Sequence, residues 1–265
     1  MSTNTSSVHE APSTLGSSYA TRRGELLEYF DQTAADAWKR LTSDDDVSGI
    51  RANVRAGRDR MRSLALSFVS GQLEGQRLLD AGCGPGQFAL EAAKRGADVT
   101  AVDLSPTLLS VARDREASVR MVDQRASNER GILKIDFQSG DMLAKLDKEG
   151  DTDQYYDHVV ALDSLIHYTL NDMVAALSQL AARARKTVTA TFAPRTPLLA
   201  AKHIVGSIFP KSDRSPAIVP IPPKALMQRI EAFPGLQNWQ VSSTERIDTG
   251  FYVSQALFLE RRGVN

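Results

Sequence analysis

A single cysteine, Cys83, is all the thiol chemistry this chain carries. That excludes an intrachain disulfide framework and any zinc site built from several thiolates. No apolar run approaches the roughly 18 residues of a membrane-spanning helix, and the start lacks the apolar core of a secretory signal. Charge of one sign is also missing: 32 Lys and Arg stand against 32 Asp and Glu. Zero net charge weakens a reading as a general nucleic-acid binder, although it leaves room for a local basic patch. A cytoplasmic location is the expectation, with peripheral membrane contact left open. What is present is ordinary for a globular protein, with 42% hydrophobic and 24% charged residues in 265. That is enough for one large domain or two small ones, and no internal repeat is visible.

Residues 1–21 are rich in Ser and Thr and poor in large aliphatics. Such a stretch buries too little to offset its ordering entropy, so a disordered tail is expected there. Residues 22–74 read as a helical cap. Leu26, Phe30, Ala34, Trp38 and Leu41 fall at helical spacing, as do Ile50, Val54, Met61, Leu64, Ala65 and Phe68. The polar side of the second stripe is basic, with Arg51, Arg55, Arg58, Arg60 and Arg62. A solvated face is the ordinary reading, and a docking surface for an anionic partner or membrane is the alternative.

From Gly75 the texture changes. Strand-like runs at 77–81, 98–103, 132–138, 156–162 and 186–192 alternate with helical runs at 86–95, 106–118 and 171–184, which predicts a parallel sheet covered by helices. Residues 195–223 form a helical and Pro-rich arm inserted in this 75–265 core. A helix is expected over 224–233. Runs 239–247 and 251–260, joined at Asp248-Thr249-Gly250, predict a hairpin that makes the last strand antiparallel. The expected class is α/β, Rossmann-like.

The sharpest local signal is Asp80-Ala81-Gly82-Cys83-Gly84-Pro85-Gly86, which joins a strand to a helix. Glycines there let the backbone turn tightly and approach a ligand closely. By itself this is a tight strand–helix turn of several nucleotide-binding folds. The dinucleotide fingerprint G-x-G-x-x-G fails at Gln87, and no GK[ST] follows for a P-loop. Asp103 ends the next strand, where an acid accepts from ribose hydroxyls. Ser105-Pro106 supplies a helix N-cap with Pro at the first position.

This pattern resembles motif I of the class I S-adenosylmethionine-dependent methyltransferases, D/E-x-G-x-G-x-G, matched by Asp80, Gly82, Gly84 and Gly86. The resemblance implies that the loop packs on the methionine part of S-adenosylmethionine and that Asp103, with Leu104 beside it, takes the ribose. Gly140-Asp141-Met142 matches the segment that contacts adenine, and Asp163 at the end of the fourth strand completes the cofactor set.

The substrate reading rests on further pieces. The (N/D)PP(Y/F) motif of amino-group base methylation is absent. Asp163-Ser164-Leu165-Ile166-His167-Tyr168 and Thr191-Phe192-Ala193-Pro194-Arg195-Thr196 resemble the magnesium-protoporphyrin IX O-methyltransferase family. So do Tyr29-Phe30-Asp31 with Trp38, Gly206 to Pro210, and Gly250-Phe251-Tyr252-Val253-Ser254. Two features depart from it: segment 119–135 is long, and Asp31 stands where Asn is usual. The family transfers a methyl group to a propionate of Mg-protoporphyrin IX, in chlorophyll and bacteriochlorophyll synthesis. The resemblance implies that His167 and Tyr29 are the catalytic side chains. It also implies that the porphyrin-carrying subunit of magnesium chelatase is a partner. Charge alone suggests Arg195, Lys202 and Lys211 for the second propionate, and the 51–62 arginine face for docking. No carboxylate or thiol is spaced for a ligand set with the histidines, so no protein-bound metal is expected; the resemblance implies that the magnesium belongs to the substrate. Another O-methyltransferase, for instance of quinone synthesis, and a non-catalytic S-adenosylmethionine-binding subunit are the alternatives.

Overall fold

Leu78 and Leu79 are neighbours in sequence, and both are completely buried. Successive side chains of a strand point to opposite faces, so this strand is covered on both sides, as parallel sheets are. The computed structural model describes residues 17–33, 49–69, 73–126, 133–144, 155–195 and 217–263. In it, helix α1 (Ser17–Glu28) runs into a π-helical turn, Tyr29–Thr33, and α2 spans Gly49–Phe68. Strand β1 (Arg77–Ala81), α3 (Gln87–Lys94), β2 (Asp98–Asp103), α4 (Pro106–Ala126) and β3 (Lys134–Ser139) follow. Next come β4 (Tyr156–Ala161), α5 (Leu170–Ala181), β5 (Ala184–Phe192), α6 (Pro223–Ala232), β6 (Trp239–Asp248) and β7 (Val253–Arg261).

The seven strands lie in the order β3-β2-β1-β4-β5-β7-β6. Strands β1 to β5 are mutually parallel and β7 runs antiparallel to both neighbours. The expected α/β class and antiparallel closing strand are therefore present. Helices α2, α3 and α4 bury Leu66, Phe88 and Leu109 on one face. Helices α1, α5 and α6 bury Leu26, Met173 and Ile230 on the other. Chain order reverses between β1 and β4, which opens a crevice beyond their carboxyl ends.

Local signals set several boundaries. Ser105 Oγ accepts from the Leu108 N–H at 3.2 Å, so the expected N-cap of α4 forms. Thr169 caps α5 by accepting from the Asp172 N–H. Other boundaries differ from the sequence reading. The helix expected from Arg22 starts at Ser17, inside the stretch read as a tail. Tertiary contacts decide this: Tyr19 is buried, stacks on Tyr168 at 4.8 Å between ring centroids, and Ser18 donates to the Asp172 carboxylate. After Glu28 the helix passes into the π-helical turn, and its expected continuation to Leu41 lies outside the described residues beyond Thr33. Trp38, the rest of the tail (1–16), the Gly206–Pro210 motif and most of the arm lie outside the described residues.

At the other end of the sheet, His158 is buried between two polar partners. Its Nε2 donates to Gln76 Oε1 at 2.6 Å, which also accepts from Lys186, and its Nδ1 accepts from the Thr187 hydroxyl at 2.8 Å. Burial first, then the Lys186 charge, lowers its pKa from 6.5 to about 4. The folded ring thus stays neutral where the unfolded ring takes a proton. The resulting stability is complete above the unfolded pKa and is lost as pH falls toward the folded one, by up to about 3 kcal/mol. Urea denaturation of wild type and His158→Gln checks this. The stability difference is expected to shift against wild type by that amount between pH 7 and pH 4, and a constant difference would refute it.

Candidate active site

The crevice is built outward from β1. Beyond Ala81 the chain enters the left-handed region at Gly82, Gly84 and Gly86, with φ of 82°, 52° and 73°. The Gly82 and Cys83 N–H groups donate to the Val102 carbonyl, which folds the loop onto β2. A Cβ at Gly82 would overlap Ser164, whose hydroxyl donates to the Ala81 carbonyl, whereas a Cβ at Gly84 meets no protein atom. These two glycines line a cavity of about 320 Å³. Gly86 is not on its wall. It starts α3, and a Cβ there would press on Ala112 at 2.8 Å and on Phe137. The third glycine of the motif therefore serves helix packing.

Asp103 organises the loop. Its carboxylate accepts from the Gly84 N–H at 2.8 Å and the Ser105 N–H at 2.9 Å. Burial raises its pKa, and these N–H donors oppose the rise. Asp80 is 2% exposed, and its Oδ2 has no hydrogen-bond partner. Burial, then the charge of Asp103, pushes its pKa up to about 7. A buried carboxylate oxygen without a donor, beside a glycine cradle, fits a ligand that brings its own donor.

Asp141 anchors the opposite wall. It accepts from the Tyr19 hydroxyl at 2.8 Å, Arg23 at 2.7 Å and the Leu143 N–H at 2.9 Å. Burial, with the neighbouring Tyr168 and Asp141, raises the Tyr19 pKa, and burial lifts Tyr168 to about 12, so both phenols stay neutral donors. Met142 and Leu104 add apolar wall. The π-helical turn closes the top, where Asp31 Oδ1 accepts from the Thr107 hydroxyl at 2.7 Å and from Ser105. Those contacts lower the Asp31 pKa, Thr107 first. Asp31 serves here as an acceptor, a role that an Asn carbonyl shares.

Of the residues singled out from sequence, Asp80, Gly82, Gly84, Asp103, Leu104, Asp141, Met142, Asp163, Tyr29 and His167 share this one cavity. His167 is 5% exposed, meets Phe30 edge-on, and places Nδ1 3.3 Å from the Ala217 carbonyl. A carbonyl only accepts, so Nδ1 carries the hydrogen. That carbonyl belongs to the returning arm, which also bonds Val219 N to Ile166 O and Ile221 N to Ala193 O. Arg195 is exposed and off the cavity wall, while Lys202 and Lys211 lie outside the described residues.

Wall residues that the sequence does not mark as site residues include Tyr19, Arg58, Arg62 and Tyr252. Tyr19 had a signal, since it precedes Leu26 by two helical turns on the same stripe. The basic side of α2 predicts a solvated face, but Arg58 and Arg62 line the cavity. Gly57 permits this, as a Cβ there would strike the Tyr252 ring. Among the described residues, no group of three His, Cys, Asp or Glu side chains gathers to hold a metal. No described helix is long and apolar enough to cross a membrane.

The order β3-β2-β1-β4-β5-β7-β6 with β7 antiparallel, joined to a glycine loop and an acid on β2, is that of a class I methyltransferase. Residues 78–187 match the methyltransferase domain family, and residues 161–261 match the family described as magnesium-protoporphyrin IX methyltransferase C-terminus. The chain is 40% identical over 245 residues to the magnesium-protoporphyrin O-methyltransferase of Rhodobacter capsulatus, covering 91% of this chain and 97% of that one. Two crystal structures of magnesium protoporphyrin IX methyltransferase from Synechocystis PCC 6803 share the fold. The one with bound SAH gives a TM-score of 0.72, covering 90% of this chain and 99% of that one. The one with bound SAM gives 0.68, covering 91% and 97%, and each is 25% identical. Likeness to a ubiquinone biosynthesis O-methyltransferase of Alkalilimnicola ehrlichii extends over only 53 residues, 19% of this chain. The chain belongs to the magnesium-protoporphyrin O-methyltransferase family.

Proposed function

We propose that this protein transfers the methyl group of S-adenosylmethionine to a propionate carboxylate of Mg-protoporphyrin IX, giving the monomethyl ester. The observation that carries the reading is that His167 and Tyr29 line the same cavity as the glycine loop, Asp80 and Asp103. S-adenosylmethionine supplies an electrophilic methyl on a sulfonium. The chain's own part is to hold the two reactants in line and exclude water. Leu26, Met61, Ile166 and Ile218 provide apolar wall, and a dry site favours a reaction that annihilates opposite charges. A cavity of about 320 Å³ lies at the small end of ligand pockets and suits the methyl donor. The macrocycle then lies at the mouth, near half-exposed Ile218, with only its propionate entering.

In this reading His167 handles the propionate. With Nδ1–H turned to Ala217, Nε2 is the ring's acceptor. A propionate entering an apolar site gains proton affinity. A proton shared between Nε2 and the carboxyl suits both, and moving it to Nε2 leaves the nucleophilic carboxylate held by a charged hydrogen bond. Tyr29 closes over the reactants from the π-helical turn. His167→Ala is expected to lower turnover by about 10²–10⁴-fold while S-adenosylhomocysteine binding by calorimetry stays unchanged. Equal loss of binding would assign His167 to the fold or cofactor instead.

The test of the function is incubation with S-adenosylmethionine and Mg-protoporphyrin IX, followed by mass spectrometry of the porphyrin, with metal-free protoporphyrin alongside. One added methyl on the Mg form supports the reading. No product, with cofactor binding intact, would send the search to quinone-type acceptors or to a non-catalytic role. We further propose delivery of the porphyrin by the porphyrin-carrying subunit of magnesium chelatase, onto the outward part of α2 around exposed Arg60. A peripheral membrane contact belongs to the same proposal. Pull-down with Arg60→Glu against wild type tests the docking face.

A further inference from the structure

Both reactants of the proposed chemistry carry carboxylates, and the cavity wall is rich in the same charge: Asp80, Asp103, Asp141 and Asp163. Among the wall residues the arginines are Arg58 and Arg62, one turn apart on α2. They are not equivalent. Arg62 is held on its own helix by Asp59 and donates to Gln87 Oε1 at 3.1 Å. Arg58 reaches across the site, with Nε 3.6 Å from Asp163 Oδ2, and both side chains stay partly accessible at 28% and 20%. That separation exceeds the roughly 2.7–2.9 Å of a close charged hydrogen bond.

Asp163 is built to aim rather than to bind. Alone among the described non-glycine residues it has positive φ, 54°, a conformation that the surroundings must hold in place. Its N–H donates to Thr191 Oγ1 at 2.7 Å. Its carboxylate accepts from the Tyr252 hydroxyl at 3.1 and 3.2 Å, Thr191 at 3.2 Å and Ser254 at 3.4 Å. Burial raises the Tyr252 pKa, which keeps that phenol a donor. Hydroxyls of Thr191 on β5, Ser254 on β7 and Tyr252 just before β7 thus satisfy the carboxylate, and Arg58 adds an ion pair to it.

We propose that Arg58 is the carboxylate receptor of this cavity and that Asp163, held by Thr191, Tyr252 and Ser254, is its positioning residue. The carboxylate comes either from the amino-acid end of the methyl donor or from a porphyrin propionate. This rests on the proposed function only for the second source. It also gives Tyr252 and Ser254, noted from sequence only as a resemblance, a physical task.

Two ligand pairs test it, each differing in the carboxylate. S-adenosylmethionine is compared with its decarboxylated form by calorimetry, and Mg-protoporphyrin IX with its dimethyl ester by absorbance titration. Arg58→Gln keeps most of the stem, and thermal melting verifies folding. For one pair, wild type is expected to favour the carboxylate form by about 10–100-fold, the worth of a charged hydrogen bond. Arg58→Gln should collapse that ratio toward unity without weakening the carboxylate-free ligand, and Arg58→Lys should restore part of it. The responding pair identifies the source. Tyr252→Phe should lower the same ratio by a smaller factor. Unchanged ratios in Arg58→Gln, or equal weakening of both members of each pair, would overturn the assignment. If the porphyrin is not the substrate, wild type fails to methylate it, while the methyl-donor pair still reports on Arg58.

Discussion

Gly84→Ala is expected to abolish cofactor binding while leaving the protein folded, whereas Gly82→Ala should cost both. The two positions look alike in sequence, since each is a motif glycine, and both have positive φ. Their surroundings differ. At Gly84 the added Cβ meets no protein atom, and φ of 52° lies in the left-handed region that other residues occupy at about 1–2 kcal/mol. The methyl group projects where a ligand must approach the backbone. At Gly82, φ of 82° adds strain, and the Cβ overlaps Ser164, which is tied to the Ala81 carbonyl. Overpacking of this kind adds about 1–3 kcal/mol. Thermal melting with calorimetric titration of S-adenosylhomocysteine separates them. A Gly84→Ala protein that binds normally would remove the ligand from this face of the loop.

The second large effect is a pH dependence of binding set by Asp80. With its pKa near 7, the carboxyl of the ligand-free protein is partly protonated at neutral pH. On the reading that the glycine loop packs on the methionine part of S-adenosylmethionine, the ammonium supplies the donor that Asp80 Oδ2 lacks and favours the ionised form. Binding then releases a proton below about pH 7, and affinity rises with pH, about tenfold per unit at most, levelling above the pKa. The stability linkage has the opposite sense to that of His158. A carboxyl raised on folding contributes stability that is present below its unfolded pKa and lost as pH rises through about 7. Titrations from pH 5.5 to 8 in two buffers of different ionisation enthalpy measure the proton release. Asp80→Asn should bind weakly and without pH dependence. A wild-type affinity flat across that range would show that Asp80 stays ionised in the free protein.

Much of the cofactor side was legible because short segments encode it. Asp80, Gly82 and Gly84 sit in one loop, Asp103 ends a strand, and Ser105 begins a helix, so each role follows from local chain geometry. Gly86 shows the limit. The motif grouped it with the other two glycines, but its neighbours Ala112 and Phe137 come from α4 and β3, and they make it a packing position. Tyr19 shows a second limit. Composition placed it in a tail, yet Tyr168 and Asp141, far along the chain, bury and bond it.

The alternation of strand and helix, the reversal of chain order it implies and the glycine loop were determined by the sequence itself. They depend on hydrophobic period and on backbone conformations that particular residues permit. Which way the arginines of α2 face was decided only by the tertiary structure. A helical stripe defines an apolar side, but where its polar flank lies depends on what the helix packs over. Gly57 lets α2 settle on Tyr252, and that contact turns Arg58 toward Asp163. The Ala217 carbonyl likewise meets His167 because the arm returns to Ile166 and Ala193. Contacts between segments far apart in the chain leave no periodic trace in a single sequence.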